Sequence, residues 1–204
     1  MKINWLFLII MGIIISGCIC NKTSCQGGEK VTDITGKKVL FVIASNNFRD
    51  EEFFVPKQII ETKGGIVTIA SSSLHISKGV LGATAKPDIL LKCAKAADYN
   101  AIVFVGGGGS SEYWNSSVAH QLTKEFVISG KVVGAICIAP ITLANAELLN
   151  GKKATVFPSE IERLKAKGAI YTGAGIEIDG KIITANGPES AAKFGEAIVA
   201  ALQR

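Results

Sequence analysis

Three stretches of this chain are apolar without a break, and they leave few folds open. Val39–Ile43, Ala101–Val105 and Val132–Ile136 hold no polar side chain and are rich in β-branched types. Runs this short and this apolar suit strands of a parallel sheet covered on both faces, where alternation with polar residues is lost. A related segment, Ile66–Ala70, is broken only by Thr68. Between the strands the period changes. Helices are expected from about Asp50 to Lys63, near Ser116–Ser129, just beyond residue 137, and from about Glu189 to Leu202. Shorter strands are expected near Ala154–Val156 and Ile182–Thr184. The segment Ser71–Lys92, with Gly79, Gly82 and Pro87, reads as short antiparallel strands or a small lobe. Strands alternating with helices imply right-handed crossovers and an α/β domain with a mostly parallel sheet, here over residues 38–204. Ligands of such sheets sit at the carboxyl ends of the strands.

The N-terminus is a separate object. Lys2 precedes the apolar run Trp5–Ile15, and small residues follow in Ser16-Gly17-Cys18. This is the layout of a secretory signal peptide or an uncleaved membrane anchor over residues 1–20. Ile15-Ser16-Gly17-Cys18 resembles a prokaryotic lipobox, which implies a lipoprotein held to the membrane from its extracytoplasmic face. Residues 21–37 are polar and glycine-containing and read as a flexible tether. Asn21-Lys22-Thr23 and Asn115-Ser116-Ser117 match the glycosylation sequon, which matters only for an exported domain.

Charge excludes one class of partner. The net charge is +5, but Lys and Arg are interleaved with Asp and Glu and form no basic block with aromatics. A nucleic-acid footprint is not supported. The five cysteines lack zinc-ribbon spacing and the chain has two histidines, His75 and His120, so no metal or other cofactor is expected.

Three clusters carry chemistry. Ala135-Ile136-Cys137-Ile138-Ala139-Pro140 places a cysteine at a strand-to-helix junction, with a proline suited to a first helical turn. The positive end of that helix would lower the thiol pKa and favour a nucleophilic thiolate. The alternative is a buried structural cysteine. Gly106–Gly109 follow the neighbouring strand. The N–H groups of Gly107 and Ile138 are thereby placed to cradle an oxyanion or an oxidised sulfur, unless the glycines only make a flexible turn. Asp50-Glu51-Glu52 open a helix, where a carboxylate ordinarily answers the dipole, and that accounts for at least two of the three. Glu52 adjoins Phe53, Phe54, Val55 and Pro56. An apolar setting would keep its carboxyl protonated, able to donate to a thiolate.

Together these residues resemble the PfpI/DJ-one superfamily. The likeness rests on Asn46–Pro56, the post-strand glycines, the Ala-Ile-Cys turn with Pro140, Thr155–Pro158 and Asn186-Gly187-Pro188. It implies a flavodoxin-like three-layer sandwich, Cys137 as nucleophile, Glu52 as its protonated partner, and a homo-oligomer. Two departures stand out. PfpI-type members carry histidine where this chain has Ile138, and the Parkinson-protein branch carries it where this chain has Phe157. Both usual general bases are therefore missing. His75 falls in a loop after the second strand, and His120 is expected on a solvated helix face. The reading that follows is a reactive Cys137 acting on small electrophiles or oxidants. Glyoxalase- or deglycase-like chemistry fits it, as does a stress role with the cysteine oxidised to sulfinic acid. A PfpI-type peptidase or amidase and a non-catalytic ligand-binding module are the alternatives.

Overall fold

The computed structural model describes residues 33–204; the expected targeting segment and most of the expected tether lie outside them. Among the described residues no helix is long and apolar enough to cross a membrane. Residues 33–37, read from sequence as the end of the tether, belong to the folded domain. Ile34 is buried and its N–H donates to the Lys63 carbonyl at 2.8 Å.

In chain order the first elements are β1 (Lys38–Val42), β2 (Asn46–Phe48), α1 (Asp50–Thr62) and β3 (Ile66–Ser71). Three short strands follow, β4 (Ser77–Gly79), β5 (Thr84–Ala85) and β6 (Ile89–Leu90). Then come β7 (Ala101–Phe104), α2 (Ser117–Ile128), β8 (Val132–Ile136) and α3 (Pro140–Asn145). The chain ends with β9 (Lys153–Ala154), α4 (Ile161–Ala166), β10 (Ile170–Tyr171), β11 (Ile176–Asp179), β12 (Ile182–Ala185) and α5 (Ala191–Leu202).

The main sheet has seven strands in the order β11-β12-β8-β7-β1-β3-β6. All neighbours are parallel except β11 and β12, which form an antiparallel hairpin. The three unbroken apolar runs form β1, β7 and β8 at its centre, as the absence of alternation requires. Successive side chains of each strand point to opposite faces. Leu40 and Val42 join Ile102, Phe104 and Phe126 on one side. Val39, Phe41, Val103, Phe53 and Phe194 fill the other, under α1 and α5. Helix, sheet and helix make the three-layer α/β architecture expected.

The segment after β3 does form a small lobe. There β4 pairs antiparallel with β5 and parallel with β2, while β6 extends the main sheet. Beyond β12, Pro188–Ser190 make a single tight turn, so α5 begins two residues later than the sequence pattern suggests.

Candidate active site

β1, β7 and β8 end side by side, and the loops leaving them meet at one crevice. β8 delivers Cys137 directly after its last residue. The cysteine has φ 63°, a left-handed conformation that costs a non-glycine residue roughly 1–3 kcal/mol. Neighbouring backbone holds it there. The Cys137 N–H donates to the Ala185 carbonyl at 2.9 Å, and the Cys137 carbonyl accepts from the Phe157 N–H at 2.8 Å. Such a bend lifts the side chain out of the sheet toward the crevice.

β7 delivers the glycines. Gly107 has φ 89°, and a Cβ on it would strike the backbone of Asn47, Phe48 and Arg49. At Gly106 a Cβ would overlap Cys137 and the Glu52 carboxyl. The run is therefore a point of close backbone approach rather than a flexible turn. The Arg49 N–H donates to the Gly106 carbonyl at 3.0 Å, locking the start of α1 against this loop.

The three carboxylates at that helix start divide cleanly. Asp50 accepts from the Leu81 N–H at 2.8 Å and the Ala83 N–H at 2.9 Å, holding the turn between β4 and β5. Glu51 takes a two-pronged pair from Arg49, at 2.8 and 3.1 Å. Glu52 is fully buried, and neither carboxyl oxygen completes a hydrogen bond of good geometry. It lies against the Cys137 thiol and the Gly106 N–H.

Burial pushes the Glu52 carboxyl up to about 7. Burial, then the Glu52 charge, pushes the Cys137 thiol up to about 12, against the N–H groups of Gly107 and Ile138, which lower it. This reverses the expectation of a thiol drawn down by a helix start. α3 is short, begins at Pro140 rather than at the cysteine, and Cys137 is only 8% exposed. Desolvation of the charged form therefore wins. The two acids titrate as one unit. Once the pair has lost its first proton, one proton and one negative charge are shared between carboxyl and sulfur. In the tautomer with neutral Glu52, a thiolate lies against the carboxyl and also faces the Gly107 and Ile138 N–H groups.

The crevice is a cavity of about 400 Å³ lined by Cys137, Glu52, Gly107 and Ile138, the four residues singled out from sequence. Sequence reasoning missed Arg49, Val80 and Pro188, which also line it. Phe157 stands in the wall where one branch of the resembled family has histidine. No histidine lines the cavity. His75 is exposed on the loop after β3, and His120, expected on a solvated face, is half-buried with Nε2 2.9 Å from the Trp114 carbonyl. Trp114 was also missed: its Nε1–H donates to the Ile138 carbonyl at 3.1 Å, and Arg163 stacks on its ring at 4.5 Å.

Comparison with known proteins fits this geometry. An uncharacterized protein of Methanocaldococcus jannaschii is 41% identical, over 100% of this chain and 98% of its own length. A glutathione-independent glyoxalase of Caenorhabditis elegans is 29% identical, over 82% of this chain and 89% of the relative. Among solved structures, a ThiJ/PfpI domain protein from Brachyspira murdochii superposes with a TM-score of 0.80 at 31% identity, covering 82% of this chain and 98% of that one. The DJ-1/PfpI family profile matches residues 37–201, and with the cysteine bend, the buried glutamate and the glycine loop in one crevice, this chain belongs to that family.

Proposed function

We propose that the domain is a cysteine-dependent enzyme acting on small reactive carbonyls, converting a 2-oxoaldehyde to a 2-hydroxy acid. The observation that carries the reading is the pairing of Cys137, strained at φ 63°, with a buried carboxyl raised to about 7. The glyoxalase named among the relatives supports it.

The thiolate adds to the aldehyde carbon, and the alkoxide formed takes the Glu52 proton, giving a hemithioacetal and an ionised Glu52. That carboxylate then removes the hydrogen of the former aldehyde carbon as a proton and returns it to the neighbouring carbonyl carbon, while the hydroxyl proton of the hemithioacetal passes to the neighbouring oxygen. The first carbon is oxidised to a thioester and the second reduced to a carbinol. Water hydrolyses the thioester, releasing the acid and the thiol, so no external oxidant or reductant is consumed. The Gly107 and Ile138 N–H groups face the charge that develops beside the sulfur. Glu52 performs the proton transfers that an imidazole performs elsewhere.

Peptide hydrolysis has less support, because Ile138 and Phe157 leave no imidazole in the cavity to protonate a leaving amine. The proposal retains attachment to a membrane through residues 1–20, for which detergent partition of the full chain is the test, and self-association, for which light scattering is. The activity is tested with full-length protein and methylglyoxal, following 2-hydroxy acid formation without added thiol. Wild type is expected to turn over, Cys137→Ser to lose all activity, and Glu52→Gln to lose at least a hundredfold, in line with removal of an acid–base group. Undiminished turnover by Cys137→Ser would overturn the proposal.

A further inference from the structure

We propose that this cavity selects uncharged aldehydes bearing an apolar substituent, and that Phe157 and Val80 set the preference. The inference rests on the 2-oxoaldehyde reading and names the part of the substrate that reading leaves open.

The walls around Cys137 are apolar. Val80 comes from the lobe, Ile138 follows the nucleophile, and Phe157 and Pro188 come from loops after β9 and β12. Phe157 is 39% exposed and Val80 47%, so both present apolar surface to the crevice mouth instead of filling the core. Neither sits on a loose segment. The Phe157 N–H is held by the Cys137 carbonyl, and its ring packs so closely on Gly187 that a Cβ there would lie 3.3 Å away. The Val80 N–H donates to the Phe48 carbonyl at 2.9 Å, and Asp50 clamps the turn that follows. Rigid apolar walls beside a nucleophile favour a substrate group that buries against them.

Charge points the same way. Arg49, the cation in the lining, already has both prongs on Glu51. The Ser159 hydroxyl, also in the lining, donates to Glu160 at 3.1 Å. An anionic substituent therefore meets a cation whose charge Glu51 already balances. Above about pH 7 it also faces the negative charge shared by Glu52 and Cys137. Size agrees. Methylglyoxal, the bulk of about four waters at about 30 Å³ each, leaves most of the cavity unfilled. Phe157 and Pro188 also wall an adjoining cavity of about 220 Å³, so a longer substituent has somewhere to lie.

The test uses full-length protein and two independent readouts. In the first, kcat/KM is measured for methylglyoxal and isobutylglyoxal. In the second, alkylation of Cys137 by iodoacetate and by N-benzyliodoacetamide is followed by peptide mass mapping, with exposed Cys93 as the internal reference. Wild type is expected to favour isobutylglyoxal by on the order of tenfold, the usual worth of a few buried carbon atoms. It is also expected to favour the benzyl reagent at Cys137 by a similar factor over Cys93. Phe157→Ala, and separately the near-isosteric Val80→Thr, should shrink both ratios, so a folding failure in one leaves the other to decide. Equal kcat/KM for the two aldehydes, with Cys137 no more selective than Cys93, would overturn the inference while leaving the 2-oxoaldehyde reading standing. Selective alkylation without turnover of either aldehyde would support the apolar walls and overturn the reading beneath them.

Discussion

At the scale of single residues, the proposed chemistry turns on the coupling between Cys137 and Glu52. Taken alone, a buried thiol raised to about 12 is a poor nucleophile at neutral pH. Taken with Glu52, the first proton leaves the pair near 7, mainly from the carboxyl, and the carboxylate beside the thiol can then draw off its proton as the sulfur reacts. Alkylation of Cys137 should therefore rise with an inflection near pH 7 and level off above it. In Glu52→Gln the carboxyl is gone but burial remains, so the inflection should move above the ordinary thiol value of about 8.5. A plot of alkylation rate against pH for both proteins checks this, and coincident inflections would refute the coupling. The burial of Glu52 was readable from sequence because its apolar neighbours lie beside it in the chain. The direction of the thiol shift was not. The Phe157 segment and β12, which hold the Cys137 backbone in place, are some 20 and 45 positions further along.

At the scale of elements, the site depends on pieces that never touch a substrate. Asp50 is 6% exposed and satisfies two amides of the β4–β5 turn from the first position of α1. Asp50→Ala leaves both N–H groups without a partner, at a cost of about 1–3 kcal/mol. Hydrogen exchange at Leu81 and Ala83 should accelerate by roughly ten- to a hundredfold, with little change in the β1 and β7 amides. On the opposite side, we propose that Trp114 acts as a positioning residue, holding the Ile138 carbonyl one peptide beyond the Ile138 N–H that faces the sulfur. Trp114→Phe keeps most of the ring and removes the donor, a net loss of about 0.5–1.5 kcal/mol. It should lower kcat several-fold with KM little changed and shift the alkylation inflection upward, which a purely structural role would not do. Elements whose pattern is long and one-sided were legible: β1, β7, β8, α1 and α2 fall within about two residues of expectation. β11 was missed, although Asp179-Gly180 ahead of Ile182 and Ile183 is a hairpin signal, and Gly180 has the positive φ such a turn demands. Its four residues lie half-exposed at the sheet edge, too short for alternation to stand out. Trp114 and Val80 carried no signal, because their roles arise only when distant loops converge.

At the scale of the whole molecule, the buried carboxyl ties stability to pH in a direction opposite to most carboxylates. A paired surface acid such as Asp179, held below its ordinary value by the Lys153 N–H and Lys152, stabilises the fold where it is ionised. Glu52 does the reverse. Its folded form holds a proton more tightly than its unfolded form, so native protein binds more protons between about 4.5 and 7. Stability from this group is complete below about 4.5 and is lost as pH rises through about 7. The loss amounts to about 3 kcal/mol, which is large against the 5–15 kcal/mol that typically holds a domain folded. Glu52→Gln keeps the shape of the side chain and never charges. The variant should therefore be more stable than wild type above pH 7, and the gap should close toward pH 4.5. Urea midpoints of both proteins across that range isolate the effect, because Asp179 and every other carboxylate titrate alike in the two and cancel in the difference. A gap that stays constant with pH would mean that Glu52 is hydrated in the folded protein. The fold would then not be bearing the cost of keeping an acid in apolar surroundings beside Cys137, and the proton source assigned to the reaction would go with it.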